Sequence, residues 1–241
     1  MNIYIFEDSQ TLYEEAARQV ISLVRQKPDA VLGLATGISP LGLYRVLIDD
    51  HQKNRTSYQH VTTYNLDEYL GLAPDHPQSY RHYMHEHLFT HIDINSDHTH
   101  IPHGDTDNPP RECRRYNELL TGTTLDLQVL GIGSNGHIGF NEPGTPFDLE
   151  THVIALDEKT RQDNAVFFAQ IDDVPTHAIT MGIANIMRAR TIVLVAIGAK
   201  KAQAVKQMIQ GAVDNSCPAS VLQTHRDVHL YLDIEAAKHL S

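Results

Sequence analysis

The 241-residue sequence has little cysteine, no tryptophan and no long apolar run. Its two cysteines, Cys113 and Cys217, stand far apart and outside any CxxC spacing, which excludes a disulfide framework and indicates reduced thiols. The longest apolar run, residues 191–197 (TIVLVAI), is far shorter than the roughly 20 residues that a membrane-spanning helix needs. Because the chain also opens on a strand-like segment without a basic start, we expect a cytoplasmic protein with no membrane contact.

Basic residues are scarce as well. Nineteen lysines and arginines stand against thirty acidic residues, and the formal net charge is -11. Such a charge repels nucleic acid and anionic membranes at long range, so we expect no nucleic-acid partner. An anionic ligand would need local help from helix N-termini, backbone N–H groups and a few well-placed cations.

Strand-like and helix-like segments alternate along the chain. Strand-like runs cover residues 2–6, 30–35, 60–65, 125–132, 191–197 and 228–232, and helical spacing appears after residue 11, from Leu41, from about Gln78 and at residues 111–120. This alternation predicts one α/β domain over residues 1–241, with a Rossmann-like, mostly parallel sheet and helices on both faces. In such folds ligands bind beyond the carboxyl ends of the strands.

A short turn follows the second strand-like run and leads directly into a helix. It reads Thr36, Gly37, Ile38, Ser39 and Pro40, in which Ser39 suits a helix N-cap and Pro40 the first helical position. A turn of this kind binds phosphate through backbone N–H groups and the helix dipole, without any net positive charge. An ordinary capped strand-to-helix turn explains the residues equally well.

Two consecutive acids, Asp67 and Glu68, come directly after the third strand-like run. In an extended segment they point to opposite sides, so one of them can face a site at the edge of the sheet. Taken alone, an acidic pair of this kind is more often a solvated part of a loop.

A glycine-rich loop follows the fourth strand-like run. Residues 131–136 (GIGSNG) match the GxGxxG pattern, but a dinucleotide-binding loop must open a helix, and the continuation HIGFNEPG cannot be helical. The chain therefore has no predicted dinucleotide site. The loop instead presents His137 near Glu142, an imidazole beside a carboxylate that can tune its proton affinity. A histidine with a purely structural role is the alternative.

Histidines are concentrated in one region, at positions 82, 85, 87, 91, 98, 100 and 103. Some of them have the i, i+3 or i, i+4 spacing of neighbours on a helix, which makes a metal site conceivable. The region lacks HExxH and interleaved carboxylates, and half of it falls in a predicted loop. We therefore expect no bound metal.

Three motifs at the ends of successive strands together resemble the glucosamine-6-phosphate deaminase family. They are NLDEYLGL with HPQSY (residues 65–72 and 76–80), GIGSNGHIGFNEPG (131–144) and GAKKA (198–202). The resemblance covers nearly the whole chain, and the Asn-Glu-Pro tail distinguishes it from the related 6-phosphogluconolactonases. It implies a parallel α/β fold and conversion of glucosamine 6-phosphate to fructose 6-phosphate and ammonia, with no cofactor or metal.

The resemblance also implies roles for single residues. Asp67 matches the catalytic base that moves a proton between C2 and C1 of the opened sugar, and Glu68 matches a residue that helps to hold the substrate. His137 and Glu142 match the pair that opens the sugar ring, and Asn135 belongs to the same catalytic loop.

The phosphate cradle implied by the resemblance consists of Thr36, Gly37, Ile38, Ser39 and Lys201.

Three positions depart from the family pattern. Asn135 stands where many members have an aspartate, so His137 must rely on Glu142. Ile38 replaces a glycine often found in the cradle. Val166 stands where some long members carry an arginine toward the phosphate, and whether Arg161 compensates is left open by the sequence.

The sequence also bears on regulation. Long members of the family are hexamers switched by N-acetylglucosamine 6-phosphate, through a serine and basic groups after the Asn-Glu-Pro tail and through a C-terminal extension. This chain reads Thr145, His152, Val153 and Ile154 there and stops at Ser241, so we expect a monomer without that switch. Two other functions, a lactonase and a sugar-phosphate-sensing module, remain as alternatives.

Overall fold

The computed structural model describes residues 1–240, and its central feature is a seven-stranded sheet. In chain order the strands are β1 (Asn2–Phe6), β2 (Val31–Leu34), β3 (Thr62–Asn65), β5 (Thr99–His100), β6 (Leu127–Leu130), β9 (Thr191–Ala196) and β10 (Val228–Asp233). They lie in the order β1-β10-β9-β6-β2-β3-β5, and all neighbouring pairs are parallel. The predicted parallel α/β sheet is confirmed.

Eight α-helices connect and cover the strands within the described residues. They are α1 (Ser9–Gln26), α2 (Leu41–Asn54), α3 (Tyr80–His87), α4 (Pro109–Thr121), α5 (Glu158–Asn164), α6 (Ile183–Ile186), α7 (Ala202–Gln210) and α8 (Ile234–Ala237). Strand β6 is buried at all four of its positions. Because successive side chains of a strand point to opposite faces, both faces of the sheet are covered there. None of the helices in residues 1–240 is long and apolar enough to cross a membrane.

Helix α1 shows how the sequence sets these elements. The side chain of Asp8 accepts a hydrogen bond from the Thr11 backbone N–H (2.8 Å), which caps the first turn. Buried Leu12, Ala16 and Val20 recur every four residues and form the apolar stripe that packs on the core.

The strand order reverses between β2 and β6. From β2 the chain builds outward through β3 and β5, then returns to place β6 on the other side of β2 and continues through β9 and β10. The loops after β2 and β6 therefore diverge and leave a crevice at the carboxyl edge of the sheet. This is the position at which open α/β sheets bind ligands.

A second, antiparallel sheet was not expected from the sequence. It consists of β4 (Asp67–Tyr69), β8 (His177–Thr180) and β7 (His152–Ala155), in the order β4-β8-β7. Strand β4 begins only two residues after β3 ends, so the chain passes from the large sheet into the small one at Asp67.

Candidate active site

A cleft of about 450 Å³ opens at the crevice between β2 and β6. Its walls are the segments that follow four parallel strands, namely residues 35–39 after β2, 66–67 after β3, 131–140 after β6 and 197–201 after β9, together with residues 163–167 from α5 and the turn after it. The structure thus brings together the three motifs that the sequence analysis singled out.

The turn after β2 lines one end of the cleft through Thr36, Gly37, Ile38 and Ser39. Gly37 has a φ of 90°, a left-handed conformation that favours glycine, and its carbonyl oxygen accepts a hydrogen bond from the Tyr83 hydroxyl (2.6 Å). Ile38 is 65% exposed. The turn is therefore held by its neighbours while its own outer surface stays open to a ligand.

The prediction that Ser39 caps helix α2 is wrong. The helix begins at Leu41 with Pro40 in the N-cap position, and no side chain caps it. Ser39 therefore does not act as the cap, and its side chain lies beside Gly131 at the start of the glycine-rich loop.

Two lysines, Lys200 and Lys201, line the same end of the cleft from the segment after β9. The segment leaves the strand at Gly198, whose N–H donates to both carboxylate oxygens of Asp233 (3.0 Å each). Burial lowers the pKa of Lys201, and the nearby negative charge of Asp163 opposes that effect. A lysine that is partly stripped of water gains more from an anionic ligand than an exposed one does.

Asp67 lines the cleft and is only 5% exposed. Burial raises the pKa of its carboxyl group to about 8, with a further contribution from the charge of Glu68 that outweighs a hydrogen bond from the Phe140 backbone. Gly139 passes close to the Asp67 carboxylate, since a Cβ atom there would lie 3.4 Å from Oδ2. A carboxyl group with this pKa exchanges a proton readily near neutral pH.

Glu68 does not face the cleft, which corrects its expected place among the substrate-binding residues. It follows Asp67 along strand β4 and therefore points to the opposite side. Its Oε1 accepts from the backbone N–H groups of Tyr69 (2.8 Å) and Tyr80 (2.9 Å), and its Oε2 from that of Arg81 (3.0 Å). Glu68 thus anchors the N-terminus of α3, although burial raises the pKa of its carboxyl group to about 7.

His137 lines the cleft, and Glu142 lies behind it. The Nδ1 atom of His137 lies 3.4 Å from Glu142 Oε2 and 3.4 Å from the Thr160 hydroxyl. The side chain of Asn135 bridges the pair, because its Nδ2 donates to Glu142 Oε2 (2.8 Å) and its Oδ1 accepts from the His137 backbone N–H (3.2 Å).

The protonation of this pair follows from its surroundings. Burial alone would raise the pKa of Glu142, but the hydrogen bond and charge of His137, with hydrogen bonds from Thr160 and Asn135, hold the pKa below its ordinary value. Glu142 is therefore a carboxylate at neutral pH. It can orient the imidazole and stabilise its charged form.

Several cleft residues were missed by the sequence analysis. Thr160 contacts His137, while Asp163, Asn164 and Phe167 line the cleft. The signal that could have identified Thr160 and Asp163 is their i, i+3 spacing in a helix, which places both on one face.

Arg161 does not supply the cation that Val166 lacks. Its Nη2 donates to the backbone carbonyls of Ile171 and Val174 (3.2 Å each), and it does not line the cleft. Val166 itself is 74% exposed. The lysines that line the cleft are Lys200 and Lys201.

The histidine-rich region lies away from the cleft, apart from the contact of Tyr83 with Gly37. Histidines 85, 87, 91 and 103 are exposed. Among residues 1–240, no three histidine, cysteine or acidic side chains are grouped so that they could hold a metal ion.

Comparison with known proteins places this geometry in context. The family model described as glucosamine-6-phosphate isomerases/6-phosphogluconolactonase matches residues 7–231. A glucosamine-6-phosphate deaminase of Geobacillus sp. (strain WCH70) is 53% identical over 228 residues, which are 94% of this chain and 91% of the relative. One of Bacillus pumilus (strain SAFR-032) is 51% identical over 237 residues, which are 98% of both chains.

A solved structure of a protein with the same name is also similar to this chain. A monomeric glucosamine-6-phosphate deaminase superimposes with a TM-score of 0.97 at 48% identity, over 99% of each chain.

Proposed function

This chain belongs to the family of glucosamine-6-phosphate isomerases and 6-phosphogluconolactonases, and within it we propose that the chain is a glucosamine-6-phosphate deaminase. The enzyme converts glucosamine 6-phosphate and water to fructose 6-phosphate and ammonia. Relatives that carry this name at 53% and 51% identity support the assignment over the lactonase alternative. The sensing alternative loses its support for the same reason.

The observation that carries the mechanism is the buried carboxyl group of Asp67 in the wall of the cleft, with its pKa raised to about 8. In the open-chain sugar, the C2 proton is acidic because it lies beside the C1 aldehyde. The Asp67 carboxylate removes this proton and returns it to C1. Between these two steps, the electrons of the C2–H bond form a C1=C2 double bond and O1 regains the proton that it lost on ring opening, which gives an enolamine. When C1 takes the proton from Asp67, the nitrogen lone pair forms an imine at C2, which water hydrolyses to the ketone with release of ammonia.

The ring must open before C2 can react. His137 faces the cleft and is held by Glu142, so we assign it the transfer of a proton to the ring oxygen. Asn135 and Thr160 orient this pair through the contacts described above. A base and an acid placed in this way contribute about a hundredfold to ten-thousandfold each to the rate.

The phosphate is assigned to the end of the cleft formed by residues 36–39 and Lys201. Here backbone N–H groups of the turn and the dipole at the start of α2 combine with the partly desolvated lysine. This local arrangement binds an anion despite the net charge of -11. The side chains assigned to the chemistry are carboxylates and imidazole, and the route proposed for them includes no cofactor.

Replacement of Asp67 by Asn tests the proposal most directly. The amide keeps the shape of the side chain and removes the proton acceptor, so ammonia release should fall at least about a hundredfold. Binding of fructose 6-phosphate, measured by calorimetry, should change little. The matched control is Asp172→Asn, which makes the same charge change at an exposed position outside the cleft.

Two results would contradict the proposal. Retention of more than about a tenth of wild-type turnover by Asp67→Asn would remove Asp67 as the base, given the rate factor expected of a positioned one. Wild-type protein that hydrolyses 6-phosphogluconolactone but releases no ammonia from glucosamine 6-phosphate would identify a lactonase instead.

A further inference from the structure

The phosphate end of the cleft contains a negative charge that the proposed mechanism does not use. Asp163 lines the cleft from α5, and its Oδ2 accepts a hydrogen bond from the Ser134 hydroxyl (2.8 Å). Ser134 belongs to the glycine-rich loop after β6, so this contact joins α5 to the loop. Thr160, one helical turn before Asp163, makes the second such contact, to His137.

Asp163 also acts on Lys201. Burial lowers the pKa of Lys201, and the charge of Asp163 is the strongest influence that raises it again. The charged side chains that line the cleft, apart from His137, are Asp67, Asp163, Lys200 and Lys201. Asp163 therefore offsets part of the positive charge that the cradle offers to a phosphate.

We propose that the carboxylate of Asp163 competes with the phosphate of the substrate for Ser134 and Lys201. This inference rests on the assignment of the phosphate to that end of the cleft. Asp163 is exposed, so solvent can accept its carboxylate when the phosphate takes its place beside Ser134. It thereby sets the affinity for sugar phosphates below the value that the other cradle groups would give.

A carboxylate at this position has two alternative roles. A catalytic role would require it to reach C1 or C2, yet Asp163 lies by Ser134 and Lys201, at the end assigned to the phosphate. A purely structural role as an anchor of α5 would leave ligand affinity independent of its charge. The two can be separated by a substitution that keeps the hydrogen bond and removes the charge.

Asp163→Asn is that substitution, because the amide oxygen still accepts from Ser134. We expect the dissociation constant for fructose 6-phosphate and the inhibition constant of inorganic phosphate to fall about threefold to tenfold at low salt. The difference from wild type should shrink in 1 M salt, where the screening length is about 3 Å. KM for glucosamine 6-phosphate should fall as well, without a matching rise in kcat.

Asp172→Asn again serves as the control, since it makes the same change in net charge outside the cleft, and its affinities should equal those of wild type. Unchanged or weaker phosphate binding by Asp163→Asn, with ammonia release intact, would overturn the inference and leave the deaminase assignment standing. A different result would overturn the deaminase assignment: wild-type protein that binds phosphate but releases no ammonia. Wild-type protein that binds neither phosphate nor fructose 6-phosphate would overturn both.

Discussion

At the scale of single residues, the cleft contrasts two carboxylates with opposite protonation. Asp67 is buried without a cationic partner, and its pKa is raised to about 8. Glu142 is also buried, but its contacts with His137, Thr160 and Asn135 lower its pKa. One group therefore exchanges protons near neutral pH, while the other stays ionised and supports an imidazole. In enzymes, two titratable groups whose environments separate their pKa values in this way typically act as acid and base.

This contrast leads to an expected pH profile. Asp67 must be ionised to accept the C2 proton, so kcat/KM should rise with pH and level off above about 8, the pKa given by its burial. Below pH 7 the increase should approach about tenfold per pH unit. The measurement is kcat/KM from initial rates of ammonia release between pH 5.5 and 9.5. A profile that stays flat down to pH 5.5, as expected of a base with the ordinary aspartate pKa of about 4, would contradict the role of Asp67.

At the scale of secondary structure elements, Glu68 ties two of them together. It lies on β4 and accepts hydrogen bonds from backbone N–H groups of Tyr80 and Arg81 in the first turn of α3, whose N-cap is Ser79. Helix α3 in turn holds Gly37 through the hydroxyl of Tyr83. The acid beside the proposed base thus supports the phosphate-binding turn through a helix.

Glu68→Gln should therefore destabilise the fold. In the wild-type protein three backbone N–H groups donate to the carboxylate of Glu68. In the variant, the amide nitrogen of glutamine cannot accept from one of them, and a buried donor without a partner costs about 1–3 kcal/mol. Urea unfolding at pH 8.5, where the raised pKa of about 7 leaves Glu68 mostly ionised, measures the loss. Glu86→Gln is the control. Glu86 is exposed on α3, the helix that Glu68 anchors, and its replacement should cost less than about 0.5 kcal/mol.

The same variant gives a second, independent measurement. The charge of Glu68 helps to raise the pKa of Asp67, so its removal should shift the acidic limb of kcat/KM to lower pH. Ionisation of the substrate is identical for the two proteins and cancels in the comparison. A variant as stable as wild type, with the limb unmoved, would show that the two carboxyl groups are not coupled.

Six of the seven strands of the large sheet could be predicted from the sequence because their signals are local, whereas the two-residue strand β5 was not among the predicted runs. Strand β9 is an apolar run after its first residue, and the loops with Gly37 and Gly136 carry the glycines that positive φ values favour. The small sheet could not be predicted, since β4 has three residues and its pairing of Asp67 with Thr180 spans more than a hundred positions. For the same reason, the contacts of α5 with the glycine-rich loop were missed.

At the scale of the whole molecule, binding of an anionic substrate depends on a local positive potential that opposes the negative potential of the whole chain. The chain carries a formal charge of -11, yet the phosphate end of the cleft combines Lys200 and Lys201 with the start of α2. Asp163 weakens that positive end. Long-range attraction thus contributes little to substrate capture, and we attribute affinity to short-range contacts.

The overall architecture also bears on regulation. Allosteric control requires a second site that binds its effector differently in two states, and an element that couples that site to the first. The resemblance placed the effector groups of long family members after the Asn-Glu-Pro tail. In this chain Thr145 is buried there and donates to the Glu142 carbonyl (2.7 Å), while burial lowers the pKa of His152 on β7 and keeps its ring neutral at pH 7. Val153 and Ile154 add no charge.

We therefore expect hyperbolic velocity curves for glucosamine 6-phosphate that N-acetylglucosamine 6-phosphate does not activate. A phosphate monoester needs cationic or N–H donors to leave water, and these four residues of the segment offer it no cationic side chain. We also expect a monomer by sedimentation. The measurement compares curves with and without the acetylated sugar, and inorganic phosphate serves as a competitive control. Sigmoidal curves that the acetylated sugar makes hyperbolic would require an effector site and a coupling interface elsewhere on the molecule, because neither can be built from this segment.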